Sequence, residues 1–169
     1  MKHSIKADVV IVGGGIQGCS TAYQLAKRGV SVAVLEKDTV SRHASGVNAG
    51  GVRLLGRHIA EVPLSEASMK MWHGLDDELN GDTGFRNRTL INIAADEQDI
   101  ETLRKRQEMM HSHGYYHEKM LDPQELRERL PHVAHHCAGG VVSELDGYAI
   151  PYKSTLAFKR AAALLGAQF

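Results

Sequence analysis

The sequence has few cysteines and no net charge. Among 169 residues there are only two cysteines, Cys19 and Cys137, and they match no metal-binding or redox spacing. Because intracellular proteins keep their thiols reduced, we expect both to be unpaired, with Cys19 packed inside a helix; a disulfide is the alternative. Lys plus Arg equals Asp plus Glu at 20 each, so the charge balance indicates no nucleic-acid partner.

Long apolar runs are also missing. No stretch approaches the roughly 20 apolar residues that a transmembrane helix needs. The basic N-terminus leads into no apolar segment with a small-residue cleavage site. We therefore expect no membrane span and a cytoplasmic location. A hydrophobic content of 43% and a charged content of 24% are typical of a folded globular protein.

Histidine, in contrast, is frequent, with ten residues and two clusters, "HSH" and "HVAHH". A zinc site needs three or four converging ligands, and no cysteine or carboxylate completes either cluster at a recognised interval. We therefore predict no metal site. The histidines expected on the surface are His111, His113, His132, His135 and His136.

The first 38 residues have the pattern of a strand, a helix and a second strand. Consecutive apolar residues in "ADVVIVG" (7–13) and "SVAVLEKD" (31–38) indicate two buried parallel strands. A helix is predicted between them, from about Ile16 to Arg28, and Gly29 follows its end. Three such elements within about 30 residues form a βαβ unit.

A glycine cluster joins the first strand to the helix, and Gly13, Gly15 and Gly18 fit the pattern G-x-G-x-x-G. Gly13 allows the tight turn, Gly15 lets a pyrophosphate approach the helix N-terminus, and Gly18 keeps the helix close to the sheet. We therefore predict a dinucleotide site; a tight turn without a ligand is the alternative. Glu36, at the end of the second strand, suits a ribose diol and repels a 2′-phosphate, which disfavours NADP but does not separate NAD from FAD.

Further along the chain, helices and strands alternate. No regular element is predicted over residues 39–56, which are rich in Gly, Ser and Ala. Helices are predicted over about 63–79, 97–113 and 152–165, and a strand in "RTLINIAA" (88–95). In "GGVVSELDGYAIP" (139–151) a hairpin is expected to turn at Asp146-Gly147.

Two of these helices carry more detailed predictions. The helix over 63–79 is expected to bury one face with Leu64, Met71, Leu75 and Leu79, and the helix over 97–113 one with Ile100, Leu103, Gln107 and Met110. A short helix in "DPQELRERLP" has Asp122 as its cap, Pro123 at its first position and Glu125 completing a capping box. After the last helix, "LLGAQF" leads towards another buried strand. We therefore expect the chain to be the N-terminal portion of a longer fold.

The glycine fingerprint, "LEK" at Leu35–Lys37 and "ASGVNAGGVR" at 44–53 together resemble the FAD-dependent D-amino acid oxidase superfamily, which includes glycine oxidase, sarcosine oxidase, dimethylglycine dehydrogenase and D-amino acid dehydrogenases. The resemblance covers the whole chain and is most specific over residues 7–53. It implies an α/β fold in which an FAD-binding Rossmann-like βαβ domain carries a partial, truncated α+β substrate layer. The implied domains are 1–84 for FAD with the following helix, 85–150 for part of the substrate domain, and 151–169 for a helix returning to the FAD domain.

The same resemblance implies which residues contact FAD. Those at the pyrophosphate and the adenosine ribose are Gly13, Gly15, Ile16, Gln17, Gly18, Glu36 and Lys37. Those along the phosphates, the ribityl chain and the isoalloxazine are His43, Ala44, Ser45, Gly46, Asn48, Ala49, Gly50 and Gly51. His43 either binds the flavin covalently, as a histidine does in some relatives, or flanks the phosphates. Arg53 either faces the reduced flavin or a substrate carboxylate, or forms a surface salt bridge.

The implied reaction is hydride transfer to flavin N5 from the carbon that bears the amine of a small amino acid or secondary amine. The cofactor carries this chemistry, so no acid–base pair is required and none is named. A partner chain that supplies the missing half is a further expectation. The alternatives are another FAD- or NAD-dependent dehydrogenase and a non-catalytic dinucleotide-binding fragment.

Overall fold

The computed structural model describes residues 5–169. Its strands are β1 (Val9–Val12), β2 (Val32–Leu35), β3 (Gly51–Val52), β4 (Arg86–Asn87), β5 (Leu90–Ala94), β6 (Lys119–Leu121), β7 (Gly139–Ser143) and β8 (Gly147–Tyr148). Its α-helices are α1 (Ile16–Ala26), α2 (Ala44–Val47), α3 (Val62–Leu79), α4 (Glu97–Ser112), α5 (Pro123–Arg129) and α6 (Pro151–Leu164), and a 3-10 helix spans Ile59–Glu61.

Two compact units make up the fold. The first contains the chain up to Gly51, then Met71–Arg86 and Tyr148–Phe169. The second contains Val52–Lys70 and Asn87–Gly147. The chain passes from one unit to the other within β3, α3, β4 and β8.

In the first unit, β1 and β2 are parallel and pair residue for residue from Val9↔Val32 to Val12↔Leu35. The helix α1 connects them, which confirms the predicted βαβ unit. Small side chains allow α1 and α6 to pack closely, since Ala22 and Ala162 are both completely buried. This core also holds the Tyr23 and Phe158 rings, whose centroids are 5.9 Å apart.

The prediction that β1 is buried is wrong for one of its faces. Val10 is 57% exposed and Val12 is 87% exposed, whereas Ile11, on the other face, packs against the core. The difference arises because side chains alternate along a strand, and the helices of this unit cover one side of the sheet.

Beyond α6, the chain pairs once more with β2. Gln168 forms a parallel bridge with Ala33, donating its N–H to Val32 O at 2.9 Å and accepting from Val34 N–H at 2.8 Å. The predicted entry into a strand at "AQF" is therefore confirmed.

The second unit is built on an antiparallel sheet of order β5-β7-β6. Helix α4 buries Ile100, Leu103 and Met110, as predicted, and the Gln107 amide donates to Glu118 O at 3.0 Å. The capping box of α5 is also confirmed. The Asp122 carboxylate accepts from Gln124 and Glu125 N–H, and the Glu125 carboxylate accepts from Asp122 N–H.

Three local predictions are wrong. The segment 39–56 is not without regular structure, because α2 and β3 lie within it. The expected hairpin does not form, because β5 and β6 pair with both edges of β7, and β8 lies in another sheet. On α3, Leu64 and Met71 are exposed, whereas Val62, Met69, Leu75 and Leu79 are buried. The first half of α3 packs in one core cluster and the second half in another, so the helix has no single buried stripe.

The predictions for cysteine and histidine agree with the structure. Both cysteines are free and buried, and the five clustered histidines are exposed. Within residues 5–169, no three His, Cys, Asp or Glu side chains converge as a metal site. No helix in the described part of the chain has both the length and the apolar character needed to cross a membrane.

Candidate functional site

The glycine turn, residues 13–18, begins where β1 ends. Gly13 has φ of +106°, a conformation that L side chains rarely adopt, and its N–H donates to Leu35 O at 2.8 Å. A Cβ on Gly18 would overlap with Gly13 O, and it would also lie 3.3 Å from Ile11 Cγ2. Glycine at position 18 therefore lets α1 lie directly against the turn, which is the packing role expected from the sequence.

The N-terminus of α1 is open to an anion. Gly15 is the N-cap residue, and the first turn of α1 contains no acidic side chain. The Ser45 hydroxyl, carried by α2, accepts from Ile16 N–H at 3.0 Å, and a Cβ on Gly15 would lie 2.8 Å from that oxygen. The first N–H groups of a helix and its dipole favour negative charge, so this end of α1 suits a phosphate group.

Glu36 lies beside the glycine turn at the end of β2. Its Oε2 accepts from Gly14 N–H at 2.6 Å and its Oε1 from Asp38 N–H at 2.9 Å. These backbone hydrogen bonds, that of Gly14 first, hold the pKa of the Glu36 carboxyl below its usual value. Each carboxylate oxygen keeps a further lone pair, so Glu36 can still accept from the two hydroxyls of a ribose.

Residues 43–51, called here the wall, follow β2 and present mainly backbone atoms. A Cβ on Gly46 would overlap with Ser41 O, and a Cβ on Gly50 would overlap with Ala149 O. Asn48 fixes the turn between them by donating to Ala44 O at 2.9 Å and accepting from Gly50 N–H at 2.8 Å. At Gly51, no atom of the described residues lies within 4 Å of where a Cβ would be. This segment is therefore tightly packed at Gly46 and Gly50 and open at Gly51.

Two residues of this region were missed from the sequence. Gly14 occupies a variable position of the fingerprint, yet a Cβ there would lie 2.8 Å from Val40 Cγ2 and 3.2 Å from Glu36 Oε2. Ser41 has φ of +70°, unusual for a residue other than glycine, and its buried hydroxyl has no hydrogen-bond partner among residues 5–169. The run of three glycines could have indicated Gly14; nothing in the sequence indicated Ser41.

The remaining predicted residues lie at the surface of the first unit. Gln17, Lys37, Ala44 and Ala49 are exposed. The His43 side chain is 66% exposed, and its Nε2 lies 3.4 Å from Asp38 Oδ2.

Behind the glycine turn, Cys19 Sγ donates to Gly14 O at 3.6 Å, and burial raises the pKa of the Cys19 thiol to about 11.

Arg53 belongs to the second unit. Its side chain is exposed, and across the described residues it forms no ion pair. Its backbone carbonyl, Arg53 O, accepts a hydrogen bond from Arg57 Nε at 3.3 Å.

Taken together, a βαβ unit, a glycine turn at a helix N-terminus and an acid at the end of β2 define a dinucleotide-binding fold. The family model DAO, FAD dependent oxidoreductase, matches residues 8–169. The chain belongs to this family of FAD-dependent oxidoreductases, and FAD is its cofactor.

Relatives and solved structures agree with this assignment. The chain is 32% identical over 154 residues to an opine oxidase subunit of Rhizobium meliloti, an alignment that covers 85% of this chain and 42% of that protein. It is 28% identical to glycine oxidase of Bacillus subtilis (strain 168), covering 95% of this chain and 44% of that protein. The crystal structure of glycine oxidase from Bacillus cereus ATCC 14579 superposes with a TM-score of 0.85 and 29% identity, covering 96% of this chain and 45% of that one. The chain thus spans less than half the length of these relatives.

The residues of the glycine turn fit the diphosphate of FAD. The backbone faces of Gly13 and Gly51 are open, whereas any side chain at Gly15 would meet Ser45 Oγ. The Ser41 hydroxyl, which has no hydrogen-bond partner in the described part of the chain, adds a buried donor in the same unit. The donors are backbone N–H groups and hydroxyls, which is the chemistry that binds phosphate oxygens.

Proposed function

We propose that this chain provides the cofactor-binding part of a flavoenzyme that oxidises the C–N bond of an amino acid or secondary amine. When bound, FAD would accept the hydride from the carbon that bears the amine, at flavin N5. The observation that carries the proposal is the glycine turn at the N-terminus of α1, with Glu36 held beside it by Gly14 N–H at 2.6 Å. The names of the relatives, opine, sarcosine and glycine oxidases, support amino acids or secondary amines as the substrate class.

Each part of the chain has a proposed task. The glycine turn with Ile16 and Gln17 would hold the diphosphate, and Glu36 and Lys37 the adenosine ribose. The wall from His43 to Gly51 would line the phosphates, the ribityl chain and the isoalloxazine. We assign 1–84 and 151–169 to the FAD domain and 85–150 to part of the substrate domain; this functional division counts residues 52–70, which pack in the second unit, with the FAD domain. Arg53 would meet the substrate carboxylate.

Two further assignments belong to the proposal. The opine oxidase and sarcosine oxidase relatives are each named as one subunit of their enzyme, which supports action together with another polypeptide. The two buried and unpaired thiols support a reducing compartment, the cytoplasm.

FAD titration of the complete apoprotein tests the proposal. Glu36→Gln should weaken FAD binding about tenfold, because the ribose loses charge-assisted hydrogen bonds. Asp77→Asn removes the carboxylate of an exposed residue of α3 and should leave FAD affinity unchanged. Unchanged FAD affinity in Glu36→Gln would remove Glu36 from the site. A flavin that no amino acid or secondary amine, glycine and sarcosine included, bleaches anaerobically would contradict the proposed reaction.

His43 is also proposed to contact the flavin, and covalent attachment and simple flanking of the phosphates predict different results. After acid precipitation of the FAD-loaded protein, a covalent bond leaves the yellow colour in the pellet, and His43→Ala would release it. Release of all colour from the unaltered protein rules out covalent attachment.

A further inference from the structure

A short loop in the second unit is fixed unusually firmly. Residues 53–57, called here the clamped loop, belong to no helix or strand beyond Val52, yet Leu54 is 1% exposed and Leu55 is 3% exposed. The two leucines pack in different core clusters, Leu54 with Val62 and Met110, and Leu55 with other residues of this unit. Buried backbone N–H groups in such a loop need acceptors.

A fully buried acid supplies two of these acceptors. Asp146 Oδ1 accepts from Leu54 N–H at 2.9 Å, and Oδ2 accepts from Leu55 N–H at 3.0 Å. The Ser143 hydroxyl donates to Oδ1 at 2.9 Å and orients the carboxylate. Both carboxylate oxygens of Asp146 are therefore committed to the clamped loop.

A second buried acid holds the next residue. Glu118, 1% exposed, accepts from Gly56 N–H at 3.0 Å through Oε1. Arg106 donates to both oxygens of Glu118, at 2.7 Å and 2.9 Å, and to Arg57 O at 2.8 Å. Three consecutive N–H groups of the loop thus bind carboxylates, and the carbonyl after them binds the guanidinium paired with one of those carboxylates.

The side chain that begins this loop is Arg53, which is exposed and has no ion-pair partner within residues 5–169. Removing two acids from water is costly even when they are hydrogen-bonded or paired, so their use on one five-residue loop indicates that the position of its backbone matters. We propose that Asp146 and Glu118 are positioning residues that fix the backbone of the clamped loop and so place the base of the Arg53 side chain for binding a carboxylate. This inference rests on the role proposed for Arg53 above.

The test uses the complete FAD-loaded protein and acetate as the carboxylate probe. Acetate binding is followed by saturation transfer to the methyl resonance of acetate, a signal that can be measured with every variant. Arg53→Gln should weaken acetate binding at least about tenfold, and Asp146→Asn about threefold or more, with faster amide exchange at residues 54–56. The matched controls, Arg104→Gln and Asp76→Asn, remove an exposed guanidinium and a carboxylate that accepts from Thr83 N–H. Both should bind acetate normally.

The results distinguish the carboxylate-binding role proposed for Arg53 from the positioning role proposed for Asp146 and Glu118. If Arg53→Gln binds acetate as before, the role proposed for Arg53 fails. If Asp146→Asn binds acetate normally, Arg53→Gln does not, and the amides of residues 54–56 exchange faster in Asp146→Asn, then Arg53 keeps its role and the positioning proposal is overturned. Should Asp146→Asn not fold, Ser143→Ala replaces it, since it removes one donor and leaves the acid. Faster exchange of the loop with unchanged acetate affinity in Ser143→Ala overturns the proposal in the same way.

Discussion

The glycine turn and the clamped loop are both irregular, but different contacts hold them. The glycine turn relies on missing side chains, with Gly18 against Gly13 O and Gly15 against Ser45 Oγ. The clamped loop relies on buried charge, with acceptors 62 to 92 residues away in the sequence. The glycines that allow the first segment lie within it, whereas the acids that hold the second lie far along the chain. A local motif therefore indicates the first from sequence, and only the folded structure shows the second.

The largest effect should come from filling the glycine turn. Gly18→Ala places a methyl group against Gly13 O, so we expect a loss of about 1–3 kcal/mol in the free energy of unfolding and loss of FAD binding. The measurement is chemical denaturation together with FAD titration.

Gly74→Ala is the matched control, because Gly74 also lies in a helix but no atom of residues 5–169 lies within 4 Å of its Cβ position. It should raise stability by about 0.5–1 kcal/mol through helix propensity. Equal effects of the two substitutions would show that the turn tolerates a side chain, and the contrast with the clamped loop would disappear.

A smaller effect concerns the histidine next to the clamp. The His117 side chain is 3% exposed, and neither ring nitrogen has a hydrogen-bond partner within the described residues. Burial holds the pKa of His117 below its usual 6.5, against the opposing influence of nearby acids. The charged groups that face it are Glu118, Glu66, Asp146 and Arg106.

The sign of the pH dependence follows from this direction. Below about pH 6.5 the unfolded chain takes up a proton at His117 before the folded chain does, so stability falls as the pH is lowered through that value. His117→Gln should flatten this part of the curve of unfolding free energy against pH. The exposed His135→Gln should not change it, and an identical slope in both variants would contradict the assignment to His117.

The fold was predictable from sequence where the determinants are local. The glycine turn, the capping box of Asp122 and Glu125, and the buried face of α4 depend on residues within a few positions of one another, and all agree with the structure. On α3, Leu75 and Leu79 are buried as predicted, but Leu64 and Met71 are exposed, because the two halves of the helix pack in different clusters. The hairpin at Asp146 was predicted wrongly because that residue is buried against the clamped loop, and no turn propensity encodes this.

The site divides in the same way. Gly13, Gly15, Gly18 and Glu36 could be predicted as candidate FAD contacts because the fingerprint fixes their spacing, and this role stays a prediction. Ser41 and Asp146 could not be predicted, since a residue with positive φ and a buried acid far along the chain leave no pattern in a single sequence.

Cys19 offers a practical consequence of how α1 sits on the glycine turn. Its sulfur is fully buried behind Gly14 and protonated far above neutral pH, so a thiol reagent can reach it only after the helix lifts away. The rate at which Cys19 is alkylated therefore measures how often α1 moves away from the glycine turn. The measurement needs no engineered label. Slower alkylation of Cys19 in the presence of an added dinucleotide would report directly that the dinucleotide is bound.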